Sequence, residues 1–99
     1  MKAPIDCQTM RELRVQIDAL DREIVAKLAA RASYIDRAVV LKQQENLPAR
    51  IEDRVEQVVD RVRDSAKAIG FDPDLTEDLW RRLIEWSIAR EEQALGPKT

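Results

Sequence analysis

The side chains best placed to do chemistry in this sequence are a few polar residues set on apolar stripes. A stripe with helical spacing runs through Ile24, Leu28, Ile35 and Ala38, and Arg31 and Lys42 fall on it. These two cations are 11 residues apart. On a helix they differ by roughly 20° in direction and by about 16 Å along the axis. Arg22 and Arg37 lie well off the stripe and read as ordinary surface charges. Further along, Arg54 stands between Ile51 and Val58 at spacings of three and four. Ser87 and Glu91 follow Leu83 and Ile84, again four apart, so they share one helix face.

An inward charge without a partner is costly. Arg31, Lys42 and Arg54 make three inward cations, and Glu91 is the one carboxylate assigned to an inward stripe. That leaves a surplus of about two positive charges, which a small dianion would match. A second reading places the same residues at stripe edges, where their stems snorkel and their tips form surface ion pairs. Pattern alone leaves both open. Arg14 precedes Arg31 by 17 residues, about 25 Å along a helix, too far to share a small ligand within one chain. A crossed or antiparallel pair of long helices could bring it to a partner's site, which would make the dimer obligatory.

The missing residue types narrow the chemistry. There is no His, which removes the commonest general base and the commonest metal ligand. The single cysteine, Cys7, excludes an intrachain disulfide and a thiolate cluster. It is expected to be a small residue in a loose N-terminal arm. No metal and no cofactor are expected.

These side chains need elements to carry them. The chain has 99 residues, enough for one domain over 1–99. Two Gly and four Pro make turns scarce, so a many-stranded fold is not expected. Apolar residues are 44% but aromatics only 4%, which implies an aliphatic core. The spacing predicts three helices, at about 9–44, 49–69 and 73–95, after an arm at 1–8. Thr9 with Glu12 fits a capping box. The first helix is unbroken by Gly or Pro and would be roughly 50 Å long, longer than a compact domain of this size is wide. A second copy of the chain is the economical thing for it to pack along. Asn46-Leu47-Pro48 breaks it. The second helix shows Ile51, Val55, Val58, Val59, Val62 and Ala66 on its apolar face, and Gly70 closes it. Asp72 caps the third helix, Pro73 takes its first position, and Gly96-Pro97 stops it. The fold class is therefore all-α, three helices per chain in an intertwined homodimer.

No apolar run approaches the roughly 20 residues of a membrane span, and residues 1–10 lack the apolar stretch of a secretory signal. The charge is nearly balanced, 17 Lys+Arg against 19 Asp+Glu for a net of -2, where nucleic-acid binding favours a basic face. A soluble cytoplasmic protein is expected, with neither membrane nor nucleic acid as partner.

The same residues carry a resemblance. The chain resembles the all-helical chorismate mutases and their relative, the isochorismate pyruvate lyase of salicylate and siderophore synthesis. It does so in "LRVQIDALDREIVAKLAARASYI", in Lys42, in "PARIEDRV" and in "GFDPDLTEDLWRRLIEWSIAREEQ", with the lengths between them. The "IDxLDxxIxxLLxxR"-like pattern with a lysine 11 residues after its arginine, Arg31, is fairly specific. The resemblance implies a three-helix chain intertwined with a second copy. It implies a substrate site built from Arg14 of the partner chain with Arg31, Lys42, Arg54, Ser87 and Glu91. Three positions depart from the family: Glu91 replaces a common glutamine, Val55 a glutamate that helps hold the substrate's hydroxyl, and Ile51 an aspartate. The "MKAPIDC" opening, Val55 and the "IEWSIA" segment are at least as similar to the lyase, whereas Ser87 and Glu91 fit the mutases better.

The implied reaction is the rearrangement of chorismate to prephenate in aromatic amino acid biosynthesis. One C–O bond breaks as one C–C bond forms, with no nucleophile, metal or cofactor. A site for it must hold the substrate in its compact conformation and stabilise charge growing on the ether oxygen. Arg14 and Arg31 are expected to bind the carboxylates. Arg54 would support the ring side, and Ser87 would help hold the ring carboxylate. Lys42 and Glu91, as the catalytic pair, would donate to the ether oxygen. A carboxylate cannot donate, so Glu91 must be protonated when it acts; burial favours that form and nearby cations oppose it. Two alternatives stand beside the mutase: lyase action on isochorismate, giving salicylate and pyruvate, and a non-catalytic helical dimer serving as an interaction module.

Overall fold

A computed structural model of the chain describes residues 1–96, and Pro97, expected to help stop the last helix, lies outside them. Three α-helices carry the described residues: α1 (Met10–Glu45), α2 (Glu52–Ala68) and α3 (Pro73–Leu95). No strand occurs among them, so the chain is all-helical as the aliphatic, turn-poor sequence predicts. No described helix is long and apolar enough to cross a membrane.

Local chemistry explains each boundary. At the start of α1, Thr9 Oγ1 accepts from the Glu12 amide at 3.1 Å, and Glu12 Oε2 accepts from the Gln8 amide at 2.9 Å. The box therefore closes one residue further back than its usual form. Asn46, at φ 58°, ends α1 in the left-handed region. The Asn46 amide donates to Gln43 O at 3.3 Å and the Leu47 amide to Lys42 O at 2.8 Å, the double bond of a Schellman ending. Gly70, at φ 74°, ends α2 the same way, with its amide on Lys67 O and the Phe71 amide on Ala66 O. Asp72 accepts from the Asp74 and Leu75 amides at 2.9 and 3.2 Å at the head of α3.

The largest boundary difference is at α2. It begins at Glu52, three residues later than expected, because residues 49–51 are not helical: Ala49 lies in a bend, and Ile51 is extended and caps the helix with no side-chain bond. The arm also differs. Pro4–Asp6 form a 3-10 turn, Lys2 pairs with Glu12 at 3.2 Å, and the Lys2 amide donates to Gln16 Oε1 at 3.1 Å. It is thus tied to the first turns of α1 rather than loose. Cys7 is half-buried, its thiol 3.8 Å from Ala3 O.

The chain divides into two compact units, Met1–Tyr34 and the residues from Ile35 onward. The first holds the arm and most of α1. In the second, α2 and α3 pair antiparallel: Arg50 meets Glu85, Arg81 meets Glu56, and Arg63 meets Asp74 and Glu77. Ala49, Val55, Val59, Ile84 and Ile88 form the core between them, with Val59 fully buried. It is aliphatic throughout.

Candidate functional site

Periodicity puts Lys42 on the last turn of α1 and Glu91 one turn past Ser87 on α3. The fold brings Lys42 and Glu91 together. Lys42 Nζ lies 2.8 Å from Glu91 Oε1, and the carboxylate side chain is only 5% exposed. The contact is an ion pair, and Glu91 Oε1 is buried without a hydrogen-bond partner. Lys42 Nζ donates instead to the Ala49 carbonyl, at 2.7 Å. An ammonium has three donors. One serves Ala49, one faces Glu91, and the third can meet an oxygen that enters beside them.

Ser87 is buried, 3% exposed, and its hydroxyl donates to Leu83 O at 2.9 Å along α3. A hydroxyl keeps acceptor capacity while it donates. Ser87, Glu91 and Lys42 therefore give the second unit a small polar spot beside an aliphatic core. The spot is chemically a donor pair for an oxyanion, if Glu91 carries a proton, or a single ammonium backed by a carboxylate, if it does not.

Arg54 differs from its expected inward placement. It is exposed, and its guanidinium donates to Gln57 Oε1 at 2.8 Å. The cause is the late start of α2. Ile51 is extended, so its spacing to Arg54 is not helical, and the buried face runs through Val55, Val59 and Ala66, one residue step from Arg54. Within the second unit Lys42 is matched by Glu91, so the expected surplus of inward cations is not gathered there. Arg14 and Arg31 belong to the first unit. Arg14 is exposed on α1 and Arg31 is half-buried.

The Ala49 carbonyl is the functional group that sequence reading missed. It faces Lys42 because residues 49–51 are not helical; had α2 begun at 49, that oxygen would sit on the helix's own hydrogen-bond ladder. Pro48 marks a break but says nothing of how many residues after it stay out of the helix.

Against known proteins, the family model for chorismate mutase type II matches residues 13–92. The T-protein of Haemophilus influenzae is 34% identical over 92 residues, which are 93% of this chain but 24% of that protein. The isochorismate pyruvate lyase of Pseudomonas aeruginosa is 33% identical over 92 residues, covering 92% of this chain and 89% of the lyase. The chorismate mutase of Methanocaldococcus jannaschii is 27% identical over 88 residues, 89% of each chain. The matched stretch takes in Arg14 and every other site candidate.

Proposed function

This chain belongs to the chorismate mutase type II family, and on that premise we propose that it rearranges chorismate to prephenate. The observation that carries the reading is the Lys42 ammonium held 2.8 Å from a buried carboxyl oxygen of Glu91. Such a pair suits a reaction whose one electrostatic demand is charge growing on an ether oxygen. Lys42 donates to that oxygen with its third N–H. Glu91, protonated, donates beside it, Ser87 helps hold the ring carboxylate, and Arg54, exposed in the single chain, supports the ring side by exchanging Gln57 for the substrate. Arg31 and the partner's Arg14 take the carboxylates as guanidinium forks.

The reading requires a dimer. What supports it is α1, which has no buried residue and leaves Met10, Val15, Ile17, Leu20, Ile24 and Val25 exposed. A second copy laid along that stripe covers it and delivers Arg14. Residues 1–99 act as one domain in this reading, in the cytoplasm expected from the sequence.

A second reading rests on the near full-length match to the Pseudomonas aeruginosa lyase. Isochorismate is the same kind of dianion, and its breakdown also cleaves a C–O bond, so one site can serve either reaction. The purified chain incubated separately with chorismate and with isochorismate separates them. Prephenate from the first is the expected product. Salicylate and pyruvate from the second, with no prephenate from the first, would reassign the chain to the lyase. No product from either would end both readings.

A further inference from the structure

Residues 49–51 have no helix to hold them, yet one of them carries the carbonyl that receives Lys42. Ala49 itself is 8% exposed, with its methyl group in the α2–α3 core. Its neighbour Arg50 reaches across to α3 and makes a two-point fork with Glu85, Nη1 to Oε1 at 3.0 Å and Nη2 to Oε2 at 2.6 Å. Glu52 flanks the same guanidinium at 3.7 Å. Each partner reinforces the charge of the other: Glu85 raises the Arg50 pKa and Arg50 lowers that of Glu85. A single exposed ion pair contributes little, but a bidentate fork fixes direction as well as distance. Here the fork acts on the non-helical connection between α1 and α2.

We propose that the Arg50–Glu85 fork is a positioning device for Lys42: by pinning residues 49–51 to α3 it sets where the Ala49 carbonyl stands, and so where the Lys42 ammonium points. Lys42 pairs with Ala49 O and Glu91, and Arg50 with Glu85 and Glu52, so the fork shares no hydrogen bond or ion pair with Lys42, and neither Arg50 nor Glu85 is required by the proposed reaction. The consequence for turnover rests on the mutase reading, but the geometric claim stands apart from it. A tightly sited donor is worth more than a loose one, because misplacing a catalytic group by about 1 Å can cost on the order of 100-fold in rate.

The test uses the full chain, labelled with 15N. The Lys42 ammonium is hydrogen-bonded and 18% exposed, so it should give a slowly exchanging resonance, assigned by its loss in Lys42→Arg. Arg50→Ala and Glu85→Ala should each speed its exchange, roughly tenfold, and lower kcat about tenfold with KM changed much less. The swapped pair Arg50→Glu with Glu85→Arg should restore both. Arg81→Ala breaks comparable exposed ion pairs, with Glu56 and Glu77, further along the same hairpin, and should leave the resonance unmoved. A wild-type chain without the slow resonance, a resonance unmoved by Arg50→Ala, or one moved equally by Arg81→Ala would overturn the proposal. If the resonance responds as expected while the wild type forms no prephenate, the positioning role stands and the mutase reading falls.

Discussion

Lys42 and Glu91 set the balance at the scale of single residues. A buried pair contributes little net stability, but breaking it leaves one charge unmatched, at about 3–5 kcal/mol. Lys42→Ala should therefore destabilise the fold by that order, read from urea unfolding, and should also cut turnover at least about 100-fold, as loss of one such donor does. Replacing both partners, Lys42→Met with Glu91→Leu, should recover most of the stability and none of the activity. Recovery of activity would show that the pair is structural. The Glu91 role has its own signature. If the carboxyl must hold a proton to donate, kcat should fall as pH rises, and Glu91→Gln, whose amide donates at any pH, should flatten the profile. An unchanged profile in that variant sinks the donor role. Sequence spacing singled out both residues but could not pair them, since they are 49 positions apart and meet only because the end of α1 lies beside α3.

The helices themselves were largely legible, because their ends are decided within a few residues. Thr9, Asp72 and Gly70 each do what their types predict. Asn46 carries the same left-handed signal as Gly70 and closes α1 two residues before Pro48. Gly70→Ala should lower stability by about 1–2 kcal/mol, because its left-handed backbone resists a Cβ even though nothing crowds the position. Asn46→Gly should raise the melting temperature slightly. The α2–α3 hairpin predicts an acid response. Glu77 is held below its usual value of 4.5 by Arg81 first and by Arg63, and Glu85 by Arg50. Asp36, on α1, is held below 3.8 by Arg90. Folded values below unfolded ones give stability that is complete above about pH 4.5 and is lost as pH falls through the folded values. The urea midpoint should decline in that window, and Glu77→Gln should shrink the decline. Glu85 and Asp36 are exposed and Glu77 is half-buried, so added salt should weaken the effect, least at Glu77.

For the molecule as a whole, the question is whether the site is shared between copies. An uncovered α1 stripe and an Arg14 far from Arg31 along the helix both ask for a second chain. Two inactive variants test it together. Arg14→Ala mixed with Lys42→Ala, unfolded and refolded as one pool, should regain about a quarter of wild-type activity, because half the dimers are mixed and one of their two sites is intact. No recovery from the mixed pool, or a wild-type chain that sediments as a monomer at assay concentration, would remove Arg14 from the site.

By itself the sequence determined the all-α class, three helices with most of their caps, and a family resemblance spanning nearly the whole chain. Those properties depend on periodicity and on contacts between residues a few positions apart. The tertiary structure alone decided that Lys42 meets Glu91 and the Ala49 carbonyl, that Arg54 faces water, and that residues 49–51 stay outside the helix under the Arg50–Glu85 fork. Such pairings join residues distant in the chain. A side chain's partner is settled by how whole helices pack, and a shift of three residues in where one helix begins is enough to change it.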